Sequence, residues 1–315
     1  MMNDIRVFAF ADEASAEITG QIAAMQRNSL NGLEIRNADG TNVSDLTLNK
    51  AKEIRARMDD AGLTVWSIGS PIGKIDIVKD DFAAHLNKFR HTLDIADVLG
   101  AKNIRLFSFY IPAGEKPETH RGKVFEQMGA MIDAAAGRGI DLCHENEKGI
   151  YGDMAARCLE LHKEFPSLKA VFDPANFIQC GVNTQEAYDA LHDRITYMHI
   201  KDAFLSDGAV VCAGHGDGNV PEILRRLNAE REDEVILTVE PHLTVFKGLN
   251  DLQDEELKHH ESYPDSRTAF HAAVQALKDI LAAMYGGLCY AEAWDHRRGQ
   301  HRLRPREPSH RGPLP

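Results

Sequence analysis

The chain has 315 residues, of which 43% are hydrophobic and 27% charged, proportions that exclude wholesale disorder and suit a folded soluble domain. Its formal net charge of −12 opposes a phosphate-backbone partner, because nucleic-acid binding draws on clustered Lys and Arg. No run of eighteen apolar residues and no cleavable apolar leader is visible, so no membrane association and a cytoplasmic location are predicted.

Short apolar runs alternate with longer amphipathic stretches as far as residue 284, which predicts βαβ units. Strand one is expected at Arg6 to Phe10, a helix near Glu17 to Gln26, and strand two at Gly32 to Arg36. A helix at Leu48 to Ala61 stops at Gly62 before strand three, Leu63 to Ile68. The helix at Asp80 to Leu99 ends on Gly100 before strand four, Asn103 to Ser108. A helix from Pro117 to Arg138 leads to strand five, Ile140 to Glu145, and one from Met154 to Phe165 leads to strand six, Lys169 to Asp173. A weaker helix at Thr184 to Leu191 precedes strand seven, Ile195 to Ile200. A helix at Val220 to Ala229 precedes strand eight, Glu234 to Glu240, and the last helix spans Ser266 to Met284. Eight strands, each followed by a helix, predict an α/β fold of the (β/α)8 TIM-barrel kind, in one domain over residues 1–284.

Residues 285–315 break the rhythm. Arg297, Arg298, Arg302, Arg304, Arg306 and Arg311 stand against Glu292, Asp295 and Glu307, with prolines interspersed, so a disordered basic tail is expected. Cys143, Cys158, Cys180, Cys212 and Cys289 are odd in number and form no CxxC pair, which predicts free, mostly buried thiols.

Barrels of this kind place their chemistry at strand C-termini. Strand five ends at His144-Glu145-Asn146, strand six at Asp173-Pro-Ala-Asn176, strand seven at His199-Ile-Lys201-Asp202 and strand eight at Glu240-Pro-His242. Glu145, Asp173, His199 and Glu240 thus form a candidate ligand set of three carboxylates and one imidazole. That set suits one divalent ion, Mn²⁺ in the first place, with Mg²⁺, Co²⁺ or Zn²⁺ as alternatives, and leaves positions for substrate oxygens.

On Gly32-Leu-Glu-Ile-Arg36, His144-Glu-Asn146, Phe172-Asp-Pro-Ala-Asn176, Met198-His-Ile-Lys-Asp202, Gly214-His-Gly-Asp-Gly218 and Val239-Glu-Pro-His242, residues 5–284 resemble the xylose isomerase-like TIM barrels. That family includes sugar phosphate isomerases/epimerases, ketose 3-epimerases, hydroxypyruvate isomerase, inosose dehydratase and, more distantly, endonuclease IV of DNA repair. The resemblance implies metal binding by the same four residues and an acid/base pair in Glu145 and Glu240. The expected activity is metal-dependent isomerisation or epimerisation of a sugar or keto-sugar. An ion chelating the carbonyl and a neighbouring hydroxyl acidifies the C–H between them, and a carboxylate on each face moves the proton through an enediolate. Elimination from that enediolate is the lyase alternative, as in the subunits that cleave 3-keto C-glycosides by β-elimination. There His144 would be the base and a partner subunit would be expected; otherwise a homo-oligomer is expected. An AP-endonuclease-like role is disfavoured by the acidic charge and by the lack of the extra ligands that a three-metal cluster needs.

Among lesser candidates, Lys201 positions substrate or pairs with Asp202, His215 reaches substrate from its glycine-rich loop, and Trp66 stacks on a sugar face or sits in the core. Glu34 and Arg36 are expected to pair with each other. His259 and His260 are expected in a solvated loop with a possible lid role.

Overall fold

The computed structural model describes residues 3–244, 258 and 260–284, and the backbone of 290–295 and 300–305. Eight parallel strands close a barrel: β1 (Ile5–Ala9), β2 (Gly32–Ile35), β3 (Thr64–Gly69), β4 (Asn103–Leu106), β5 (Asp141–Glu145), β6 (Lys169–Phe172), β7 (Ile195–Ile200) and β8 (Val235–Val239). Closure runs from Ile5 opposite Val235 to Ala9 opposite Val239. The helices α1 (Ile18–Arg27), α2 (Leu48–Asp60), α3 (Phe82–Leu99), α4 (Pro117–Ala135), α5 (Ala155–Glu164), α6 (Pro174–Gln179), α7 (Thr184–Leu191), α8 (Val220–Glu230) and α9 (Ser266–Met284) supply the α part of the fold.

Strand alternation divides the buried residues into two populations. Outward residues such as Leu33, Ile104, Leu142, Met198 and Leu237 join the large core shared with helix residues such as Ile54, Phe89, Leu161 and Leu277. Inside the barrel, Phe8, Cys143, Val171, Tyr197 and Ile236 form a small apolar plug, with Trp66 packed against it. The charged inner residues lie nearer the strand C-termini.

The helix boundaries follow local chemistry. Thr47 and Asp81 cap α2 and α3 through their side chains, satisfying amides that a first helical turn leaves unpaired. Gly100 ends α3 with φ of 73°, a left-handed geometry that glycine takes without a Cβ clash. One helix was not expected from the sequence. Asp173-Pro-Ala-Asn176 opens the six-residue α6, with Asp173 as N-cap and Pro174 at the first position; so short a segment shows no periodicity.

Cys143, Cys158 and Cys212 are buried free thiols and Cys180 is a half-buried one, while Cys289 lies outside the described residues. No described helix is long and apolar enough to cross a membrane. Of the expected tail, only the backbone of a hairpin is described: β9 (Tyr290–Asp295) and β10 (Gln300–Pro305) are antiparallel, and Leu303 pairs with Ile5 of β1. The rest of the tail and His259 lie outside the described residues.

Candidate metal centre

The strand ends gather Glu145, Asp173, His199 and Glu240 so that one ligand atom from each lies within 4.8 Å of all the others, and all four side chains are buried. His199 organises the group. Its Nδ1 is 3.1 Å from Glu145 Oε1, 3.2 Å from Glu240 Oε2 and 3.7 Å from Asp173 Oδ2. Its Nε2 lies 3.1 Å from Glu34 Oε2 on β2. Glu34 is held in turn by Tyr197, whose hydroxyl donates to Oε1 at 2.7 Å. A histidine ligand characteristically donates its far nitrogen to a carboxylate, which fixes the tautomer and presents the other lone pair to the ion.

The glutamates are built alike. Arg105, from β4, donates to Glu145 Oε2 at 3.0 Å, which leaves Oε1 to face His199. Arg36, just past β2, donates to Glu240 Oε1 at 3.2 Å, leaving Oε2 inward. Burial alone would raise the Glu145 carboxyl, but His199 and Arg105 beside it bring it down to about 2. Glu240 is likewise held well below the usual carboxylate range against its burial, chiefly by Lys201 and His242. Asp173 moves the other way, raised by burial that the nearby Lys201 only partly offsets.

Asp173 divides its oxygens between structure and site. Its carboxylate caps α6 through Oδ1, which accepts from Asn176 N at 2.9 Å. Oδ2 is buried and accepts no aligned hydrogen bond, although Lys201 Nζ stands 2.9 Å away. Asn146 ties β5 to β6 by a reciprocal pair, donating to Asp173 O at 2.9 Å and accepting from Asp173 N at 3.0 Å.

These features fit a divalent ion. Asp173 Oδ2 is a buried oxygen with no aligned hydrogen bond, faced by the Lys201 ammonium and His199, His199 has its orienting carboxylate, and the donors are of the hard or borderline kind. Charge points the same way: with Glu13 raised to about 8, Asp12, Glu34, Glu145, Asp173 and Glu240 are still buried together against Arg36, Arg105, Lys201 and a His199 whose pKa its carboxylate neighbours raise. An uncompensated excess of buried carboxylates is costly, and a divalent cation offsets it.

Other sequence candidates are placed differently. His144 turns to the opposite face of β5, with Nε2 2.9 Å from Ser108 Oγ and its ring edge-on to His162 of α5; burial lowers it to about 3. Alternation from Glu145 accounts for that direction. Trp66 stacks on Phe8 with ring centroids 5.5 Å apart and meets Tyr197 edge-on, within the plug rather than at the strand ends. His215 is exposed, with Glu261 3.8 Å away. His260 pairs with Asp207 at 2.7 Å.

The expected Glu34–Arg36 pair is replaced, and of the two readings of Lys201 the pairing with Asp202 does not occur. Arg36 leaves Glu34 to His199 and instead binds Asp12 through Nε at 2.9 Å and Nη2 at 3.0 Å, Glu13 at 3.0 Å, and Glu240. Lys201 and Asp202 point to opposite sides. Lys201 enters the centre, whereas Asp202 accepts from the backbone N–H of Gly214, Gly216 and Gly218 at 2.9, 3.1 and 2.8 Å and so pins the glycine-rich loop. A Cβ on Gly216 or Gly218 would come within 2.5 or 2.6 Å of Asp202 Oδ1, which explains those glycines. Arg105, Asp12 and Glu13 carry no motif and were not singled out from the sequence.

Glu34→Leu removes the acceptor that orients His199 without touching the four clustered side chains. Metal affinity should fall roughly 10- to 100-fold, measured by calorimetric titration, and an unchanged affinity would contradict the orienting role.

Fold and cluster together define a (β/α)8 barrel with a three-carboxylate, one-imidazole centre at its strand C-termini. The family model for xylose isomerase-like TIM barrels matches residues 22–263, and the chain belongs to that family. Comparison with curated proteins gives no significant match. Among solved structures, the chain resembles a D-tagatose 3-epimerase-like protein with TM-score 0.68 and 15% identity, covering 89% of this chain and 98% of that one. It resembles the zinc-bound IolI protein with TM-score 0.67 and 13% identity, covering 90% and 100%. The probable 3-DHS dehydratase AsbF of Bacillus anthracis matches with TM-score 0.65 and 16% identity, over 87% and 98%. At such identities the likeness is one of fold.

Proposed function

We propose that this protein is a divalent-metal-dependent isomerase or epimerase of a sugar or keto-sugar, with Glu145 and Glu240 as its proton-transfer pair. The observation that carries the reading is the matched construction of the two glutamates: each has its outer oxygen on a guanidinium and its inner oxygen on the centre. Glu145, Asp173, His199 and Glu240 would hold the ion, for which Mn²⁺ is our first choice. When bound, the ion polarises the substrate carbonyl and acidifies the adjacent C–H.

The residues of the chain do the rest. Both glutamates are deprotonated at neutral pH, so either can accept that proton, and the arginines fix which oxygen faces inward. Delivery of a proton to the opposite face by the other glutamate, once that group has taken one up from solvent or a substrate hydroxyl, inverts the carbon, and return of the abstracted proton to the neighbouring carbon moves the carbonyl. The lyase alternative relied on His144 as base, and with that ring between β5 and α5 it has less support. Nor does an AP-endonuclease-like role gain any: the second ligand group among the described residues, Glu13, Glu240 and His242, already surrounds Arg36.

The test is solvent deuterium uptake at the carbon beside the carbonyl, across ketoses and 3-keto-glucosides with Mn²⁺ supplied. Uptake with every substituent retained is expected. Release of water or an aglycone would replace the isomerase reading with a lyase one, and no uptake from any substrate would refute both.

A further inference from the structure

Strand alternation sends Tyr197, His199 and Lys201 to the same inner face of β7. Lys201 is only 5% exposed. Its Nζ lies 2.9 Å from Asp173 Oδ2 and 3.1 Å from Glu240 Oε2. Those are the oxygens that also face His199 Nδ1, at 3.7 and 3.2 Å. The other oxygen of each residue is engaged: Asp173 Oδ1 caps α6 and Glu240 Oε1 takes Arg36. The inward lone pairs that these two residues can offer an ion are therefore the ones the ammonium touches.

We propose that Lys201 is a built-in competitor of the metal, an internal cation that holds Asp173 and Glu240 in ligand position until an ion takes their inward oxygens. With those oxygens taken by an ion, Nζ would be free to donate to a substrate oxygen. This rests on the metal-centre reading above. Two consequences follow from charge alone. Without Lys201 the metal-free protein buries its carboxylates with one cation fewer and loses stability. The ion, meanwhile, no longer has to displace or approach a like charge, so it binds more tightly.

The experiment is calorimetric titration of Mn²⁺ into the chelator-stripped full chain, together with melting curves with and without Mn²⁺. Lys201→Met is expected to bind Mn²⁺ roughly 10- to 100-fold more tightly than wild type. It should melt lower without metal and gain more on loading, whereas Lys201→Arg, which keeps the charge, should bind much as wild type does. If stripped Lys201→Met does not stay folded, Lys201→Gln and release of Mn²⁺ from loaded protein into a competing chelator give the same comparison. Equal or weaker binding by the Met and Gln variants, with wild type binding one ion, overturns the proposal and leaves the metal centre standing. Wild type that binds neither Mn²⁺, Co²⁺ nor Zn²⁺ overturns the centre and this proposal with it.

Discussion

Replacing Glu145 by glutamine should lower turnover by about 10²- to 10⁴-fold, the range in which a positioned acid or base contributes. The substitution keeps the shape and removes the charge. A glutamine amide cannot accept a proton from carbon. It also sets an NH₂ group against either Arg105 or His199, each of which now finds a carboxylate oxygen there. Because the proposed mechanism makes Glu145 both base and ligand, ion content must be measured beside rate. The proton-transfer role predicts a turnover deficit that persists when Mn²⁺ saturates the variant; a rate restored by added Mn²⁺ would reduce Glu145 to a ligand. Glu240→Gln should show a comparable loss, and product analysis of each variant would tell which glutamate serves which face of the sugar.

Arg36→Met should destabilise the fold by about 3–5 kcal/mol, the usual cost of removing one partner from a buried ionic group. Arg36 is 1% exposed and bonded to Asp12, Glu13 and Glu240 at once, and its guanidinium lies 4.5 Å from the centroid of the Phe10 ring. Methionine fills part of the volume but leaves three carboxylates facing one another. The sign of the pH dependence follows from Glu13. Burial already raises it to about 8 even with Arg36 beside it, and loss of the cation pushes it further up. A carboxyl whose folded pKa is raised binds more protons folded than unfolded, so the variant regains stability as pH falls through that range. Urea unfolding at pH 8.5 and 6 should show the larger deficit at the higher pH. Equal deficits would mean that the variant suffers only from packing.

The barrel was legible because β-branched strands and glycine-ended helices repeat with a rhythm that few other folds share. The convergence of four side chains was legible for a related reason: once the strands are placed, their last residues come together, so the cluster of Glu145, Asp173, His199 and Glu240 could be named without coordinates. What the sequence did not show depends on partners distant in the chain. Arg105 meets Glu145 across 40 residues and Arg36 meets Glu240 across 204, and neither contact leaves a local pattern. Glu34 and Arg36 share a strand face, which made a mutual pair the simplest expectation; instead His199 claims the acid, and Asp12, Glu13 and Glu240 claim the base. Lys201 and Asp202 carry the opposite lesson. Consecutive strand residues point apart, and that rule alone disfavours their pairing.

Each of the four clustered residues sits at the end of a strand or one residue beyond it, and none of them comes from the body of the connections that follow. A change in the length of those connections would leave the spacing of the four side chains where it is, because neighbouring strands of the closed barrel set it.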